Sequence, residues 1–101
     1  MKLLTKAIEA KLAKSPLGSQ EKNENPEIIV KFFPPWGSWS WYVTEGEKLE
    51  NGDWRFFGLV DGHEKELGYF LLSELQSVRG GPLGLKIERD MYFDGHLKDV
   101  Q

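Results

Sequence analysis

The chain has no cysteine among its 101 residues. That excludes disulfide frameworks, thiolate nucleophiles and the usual structural zinc sites, and it suits a compartment where thiols stay reduced. Histidine is scarce, with only His63 and His96, and arginine stands at three positions, 55, 79 and 89. No apolar run approaches the roughly 20 residues that a membrane-spanning helix needs. The N-terminal segment is interrupted by Lys2, Lys6, Glu9 and Lys11, so no signal-peptide core exists there. The expectation is a cytoplasmic protein with no membrane contact.

Positive charge is also in short supply. The net charge is −3, and only residues 1–14 are basic, with four lysines against one glutamate. Segments 45–53 and 61–66 are acidic, with four acids against one lysine and three against one. Nucleic-acid binders present a basic stripe to phosphates, so the acidic loops disfavour that class. The excess of acid is too small for a chain that imitates DNA.

What is abundant is aromatic surface: 13 rings, four of them tryptophan, in an otherwise ordinary composition. A chain of this length reads as one domain over residues 1–101, long enough to build a core without disulfides or a metal. Large rings are expected to dominate that core.

Leu4, Ile8 and Leu12 recur every four residues, the stripe of a short helix that Thr5 is placed to cap. Pro16 and Gly18 end it, and the polar run 19–27 reads as an exposed, mobile loop. Residues 27–33 are β-branched and aromatic, a strand stopped by Pro34 and Pro35. Residues 39–45, 54–60 and 66–72 read as three more strands, joined by turns around Asn51-Gly52 and Asp61-Gly62. Ser73 and Gln76 fit a capping box for a second short helix over 73–79, closed by Arg79 and Gly80. Residues 85–93 make a fifth strand, and the tail after it reads as loose. The fold class is α+β: a twisted antiparallel four- to five-stranded sheet with a short N-terminal helix and a second short helix.

Alternation along the strands divides the side chains. Trp39, Trp41 and Val43 share one face, as do Trp54, Phe56 and Val60, and Ile28, Val30 and Phe32. That drier face is the expected core, and Trp39 and Trp41 belong to it. Tyr42 falls on the mixed face beside Ser40 and Thr44, the better place for a wet contact. Trp36 lies in a Pro/Gly/Ser loop outside strand alternation, either a lid over the sheet edge or a ligand-facing ring.

Catalytic constellations are sparse. No G-x-S-x-G elbow accompanies a histidine base. Asp61, His63 and Glu64 stand in a solvated turn with no second histidine at metal-ligand spacing. Glu88 and Asp90 share a strand face and can form an acid–base pair, but the commoner use of such a row is pairing to arginines such as Arg55 or Arg79. Arg79-Gly80-Gly81-Pro82-Leu83-Gly84 follows a helix instead of opening one, so it reads as a terminator, not a phosphate loop. No cofactor and no metal is expected.

Four stretches, residues 1–12, 30–47, 52–75 and 77–93, together resemble the domain of unknown function 2958 family of small bacterial proteins. The resemblance covers nearly the whole chain except the 15–27 loop and the last residues. It implies a setting on plasmids, conjugative elements and phages, near genes for DNA processing and anti-restriction, and carries over no functional residue. The reading from the residues is a non-enzymatic module that binds another protein through its mixed sheet face and the 34–38 loop. Trp36 and Tyr42 are the expected anchors, with Arg55, Arg79 and Arg89 as candidate polar contacts. The alternative is a single-stranded nucleic-acid-binding accessory protein in DNA processing or anti-restriction. An enzyme using Glu88, Asp90 and His63 is the third class.

Overall fold

Thr5 has the side chain a helix start needs. The computed structural model describes residues 1–101, and in it the Thr5 hydroxyl accepts a hydrogen bond from the Ile8 amide at 3.2 Å. Helix α1 runs Lys6–Ala13, and its Leu12 is fully buried. Four strands follow as a meander: β1 (Val30–Phe33), β2 (Ser40–Lys48), β3 (Trp54–Asp61) and β4 (Lys65–Leu71). After helix α2 (Leu72–Ser77) come a two-stranded hairpin, β5 (Arg79–Gly80) with β6 (Leu85–Lys86), then β7 (Glu88–Arg89) and helix α3 (Leu97–Val100). The main sheet is antiparallel in the order β4-β3-β2-β1-β7. The chain is therefore α+β, with five strands in the main sheet.

One face of the sheet is covered by α1 and α2 and holds the larger core. Val30, Phe32, Val43, Trp54, Phe56 and Phe70 come from the strands, while Leu3, Leu4, Leu12, Leu72, Leu75 and Ile87 close over them. Phe56 sits at its centre, with the rings of Phe32, Trp54 and Phe70 at 6.0, 6.4 and 5.7 Å. Burying that much aromatic surface is the main stabilising term, at about 25 cal/mol per Å².

A β-bulge interrupts β2. Val43 pairs with Gly58 and Glu45 with Phe57, which leaves Thr44 without a partner. Its hydroxyl donates to the Phe57 carbonyl at 3.2 Å. Gly58 is dictated by the close approach here, because a Cβ on it would lie 1.8 Å from the Tyr42 carbonyl oxygen. The extra residue shifts parity, so Tyr42 and Glu45 point to the same face.

Several sequence-based expectations give way. Of the 27–33 run only residues 30–33 form the strand; Val30, Lys31 and Phe32 pair with β2 and the Ile29 amide donates to the Val43 carbonyl, but the Ile28 amide donates to Gly95 instead, and Glu27 bridges His96. Ile28 thus joins the opposite face from Val30 and Phe32, in a small cluster with Tyr42, Leu59 and Leu97. The strand expected over 85–93 is split: residues 85–86 turn back on β5 while 88–89 pair with β1. The tail is docked rather than loose, since Leu97 is buried and α3 is tied through the Lys98 amide to Asn25.

The second helix starts at Leu72, one residue early, and Ser73 is not its cap. Glu74 reaches back to the Leu71 amide at 2.8 Å. Asp53, at the end of the β2–β3 turn, takes the Ser73 amide at 3.0 Å and the Ser73 hydroxyl at 2.6 Å. A cap supplied by another hairpin leaves no signal in the local sequence.

The 19–27 segment is largely exposed, but its beginning is fastened. The carboxylate of Glu45, itself buried, accepts from the amides of Gly18 at 2.7 Å and Gln20 at 2.9 Å. Charge-assisted bonds of this kind contribute about 1.5–3 kcal/mol. Glu45→Ala is expected to lower unfolding stability by about 2 kcal/mol in denaturant melts and to make the 16–22 segment newly sensitive to limited proteolysis.

The Ser73 hydroxyl, with the Trp54 and Ser73 amides, holds the Asp53 carboxyl below the ordinary carboxylate range, against a smaller opposing effect of burial. A depressed folded pKa stabilises the fold above the unfolded value, about 4, and that stability is lost as pH falls through the folded value. Denaturant midpoints measured from pH 6 down to 3 are therefore expected to fall less steeply for Ser73→Ala than for the wild type.

Candidate functional site

The second face of the sheet is only half covered. At the β1 side, α3 and the residues before it close over Tyr42, with Phe93 at 5.5 Å and Leu59, Ile28 and Leu97 packed around. Lys31 stands 5.5 Å above the Tyr42 and Phe93 rings and pairs with Asp90 at 3.7 Å. Toward β3 and β4 this cover ends. Phe57 and Tyr69 meet there at 5.0 Å, the Arg55 guanidinium lies 4.5 Å over the Tyr69 ring, and Leu67 stands one alternation further along. Leu67 is 49% and Tyr69 57% exposed. Between them and the segment clamped by Glu45 runs a cleft of about 340 Å³ whose walls include Gln20, Thr44, Phe57 and Leu97.

The backbone of β4 adds to this surface. In an antiparallel ladder, successive residues turn their N–H and C=O alternately to the two neighbours. The Phe57 carbonyl faces β2, where Thr44 donates to it. Its β4 counterpart, Tyr69, is then a non-bonded pair with it, and the bonded pairs are Phe56–Phe70, Gly58–Gly68 and Val60–Glu66. The Leu71 amide, bonded to Glu74 rather than to β3, has the same phase. Leu67 and Tyr69 thus turn their peptide groups outward along the sheet edge while their side chains line the cleft. β4 is a seven-residue edge strand with its apolar side chains and free peptide groups on one continuous surface.

The opposite edge, β7, is handled differently. It is two residues long, and its Arg89 is met by the N-terminus: the Arg89 amide approaches the Met1 sulfur at 3.3 Å and its guanidinium donates to the Lys2 carbonyl. Short and covered, it presents no pairing template.

The expected site residues do not converge. Trp36 folds back on the helix-covered core and its ring lies on Gly80, where a Cβ would come within 2.3 Å of it. It is a lid, and its ring faces inward. Tyr42 is 7% exposed, so its expected role as a wet contact is corrected: Phe93 and α3 cover the half of the mixed face on which it stands. Trp39 departs in the other direction. It precedes β2 and keeps the face of Trp41, whose ring is 5.9 Å away, but at the open end of that face, 37% exposed and packed on Gly62 with His63 against it at 5.5 Å. Trp41 does pack against the core.

Of the arginines, Arg55 alone reaches this surface, lying against the Tyr69 ring beside the cleft without forming one of its walls. Arg79 and Arg89 are held by backbone carbonyls elsewhere in the fold, and neither pairs with Glu88 or Asp90. Asp90 pairs with Lys31 instead, because the register puts Glu88 opposite Phe33 and brings Asp90 beside β1. No group of three or more histidines, aspartates or glutamates is disposed to hold a metal ion, and no helix is long and apolar enough to cross a membrane.

Phe57, Leu67, Tyr69 and Glu45 were not singled out by the sequence. A signal existed for the middle two: Leu67, Tyr69 and Leu71 form an apolar row on the face of β4 opposite Phe70. An outermost strand that is apolar on both faces has one face without a partner in its own core.

No curated protein and no solved structure matches the chain. The family model described as protein of unknown function (DUF2958) matches residues 3–98, a span that begins at the first core leucine and ends inside α3. On that match the chain belongs to the DUF2958 family.

Proposed function

We propose that this protein is a non-enzymatic protein-interaction module, serving a bacterial mobile genetic element in the setting that the family resemblance implies. The observation that carries the reading is the β4 edge. Leu67 and Tyr69 offer free peptide groups and exposed side chains together, beside a preformed cleft. An extended segment of a partner adds there as a sixth strand, with main-chain hydrogen bonds for affinity and alternate apolar side chains over Phe57 and Tyr69 for selectivity. Arg55, already oriented on the Tyr69 ring, supplies a charged fork at the end of that surface.

The reading moves the contact surface from Trp36 and Tyr42 to Arg55, Phe57, Leu67 and Tyr69. It keeps the same face of the sheet and replaces the buried half by the open half. Of the carboxylates, Asp90 is engaged by Lys31, Asp53 by Ser73 and Glu45 by two backbone amides.

Proline separates the roles of the two backbone directions. Leu67→Pro removes an outward N–H and leaves the β3–β4 ladder intact, whereas Gly68→Pro removes a ladder bond. Leu67→Pro is expected to keep the wild-type circular dichroism spectrum and unfold cooperatively, with Gly68→Pro much the less stable of the two. With a benzoylphenylalanine photocrosslinker in place of Tyr69, cells that produce the protein are expected to yield a discrete protein adduct, lost when Leu67→Pro is added. An adduct that survives in the folded Leu67→Pro protein, or no adduct at all, overturns the reading.

A further inference from the structure

The β5–β6 hairpin places two cations face to face. Its register pairs Arg79 directly with Lys86, and like charges opposite each other on a ladder are destabilising. Lys2 and the N-terminal residue join them around a recess of about 380 Å³, which also has Leu3, Leu75, Gln76 and Ile87 in its walls and no carboxylate. Glu88, the nearest acid in the chain, projects to the other side of the sheet, since it pairs with Phe33 while Arg89 pairs with the core residue Phe32. Glu74 is turned toward β4 by its bond to Leu71.

The Arg79 guanidinium is aimed without being neutralised. Its Nη1 donates to the Gln76 carbonyl at 2.5 Å and the Val78 carbonyl at 2.8 Å, at the C-terminal end of α2. Arg89 is likewise held by the Lys2 carbonyl, which also positions Lys2. Carbonyls fix an arginine's orientation and leave its charge available, the arrangement suited to a bidentate oxyanion. The ion pair of the fold lies elsewhere, at Lys31–Asp90, and the recess gathers Lys2, Arg79 and Lys86 with no carboxylate among its walls. Beside it the hairpin tip carries Leu83, 83% exposed.

From this juxtaposition we infer that the recess between the N-terminus and the β5–β6 hairpin binds a phosphate group, with Arg79 and Lys86 as its principal ligands and Lys2 as the third. The oxyanion relieves the Arg79–Lys86 repulsion and takes the donors of Arg79 that the carbonyls leave free. Phosphate of this kind is offered either as the free ion or along a single-stranded nucleic acid. In the second case Leu83, exposed at the hairpin tip, offers the strand an apolar surface beside the cations. The recess shares no residue with the β4 edge surface, and its two strands form a separate small sheet.

Fluorescein-labelled dT12 tested by anisotropy at low salt, with inorganic phosphate and an octaglutamate peptide as competitors at matched ionic strength, examines the assignment. Binding is expected, with a log–log salt slope of about −2 for three phosphate contacts and at least a tenfold loss in Arg79→Gln/Lys86→Gln. The same double variant is expected to melt at or above the wild-type temperature, because the repulsive pair is gone; a purely structural role predicts the reverse. Lys86→Gln alone gives an intermediate loss of binding. Displacement of dT12 by millimolar inorganic phosphate assigns the free ion as the ligand, and resistance to it assigns the nucleic-acid backbone. No binding of dT12, binding unchanged in the double variant, or displacement of dT12 by octaglutamate at matched ionic strength overturns the inference.

Discussion

The extra residue in β2 is the constraint on which most of the second face depends. With Thr44 left out of the ladder, the face that holds Tyr42 is resumed by Glu45 rather than by Thr44. A carboxylate is thereby set into the sheet surface, where it costs several kcal/mol unless it is bonded. The amides of Gly18 and Gln20 meet that need. In doing so they draw the connection between α1 and β1 across the sheet and raise one wall of the cleft. Without the bulge, Glu45 points into the helix-covered core, an outcome no arrangement of Leu12 and Phe56 accommodates. Gly58 is the second half of the device, since only a residue without a side chain lets the Tyr42 carbonyl approach the neighbouring strand so closely.

The helix-covered core was legible because its signals are local and repeated. Alternation assigned Trp41, Val43, Trp54, Phe56 and Val60 to one face, and the four-residue stripe of α1 found Leu12. The errors cluster where one chain segment depends on another distant in sequence. Ile28 changes face because its amide bonds Gly95. Residues 85–93 break into two because β5 and β1 compete for them. The α2 cap comes from Asp53, twenty residues away in the chain. Periodicity is blind to such bonds, and also to what lies on top of a face. Tyr42 was assigned to the correct side of the sheet, yet the tail that buries it had the composition of a loose end.

The tryptophans divide according to the same distinction. Trp54 and Trp41 obey strand parity and enter the core. Trp36 and Trp39 lie outside the strands, and each comes to rest on a glycine: Trp36 on Gly80, Trp39 on Gly62. A flat ring over a residue without a Cβ gains contact area that any larger residue forbids. Trp36 thereby ties the β1–β2 loop to the small hairpin and helps hold Arg79 in place. An aromatic-rich loop that reads as a binding surface is, in this fold, mostly a fastening.

The two edges of the sheet show how protection and exposure are distributed. At β7 the N-terminal residues cover a strand only two residues long, and Arg89 grips the Lys2 carbonyl to do so. That cover carries Lys2 up to Arg79 and Lys86, so shielding the edge also assembles the cationic recess. At β4 no such cover exists. The strand is longer, the outward peptide groups of Leu67 and Tyr69 are free, and the residues between its ends carry one charge, Glu66, which the ladder turns toward the helix-covered face. Natural edges of that length usually carry an outward charge, a bulge or a proline to prevent pairing. The chain uses a bulge in β2, where it builds a wall of the cleft, and leaves β4 flat. An edge that is protected on one side of a sheet and left open beside a preformed cleft on the other is better explained by a strand that docks there than by chance omission, because an idle edge of this kind carries only the cost of aggregation.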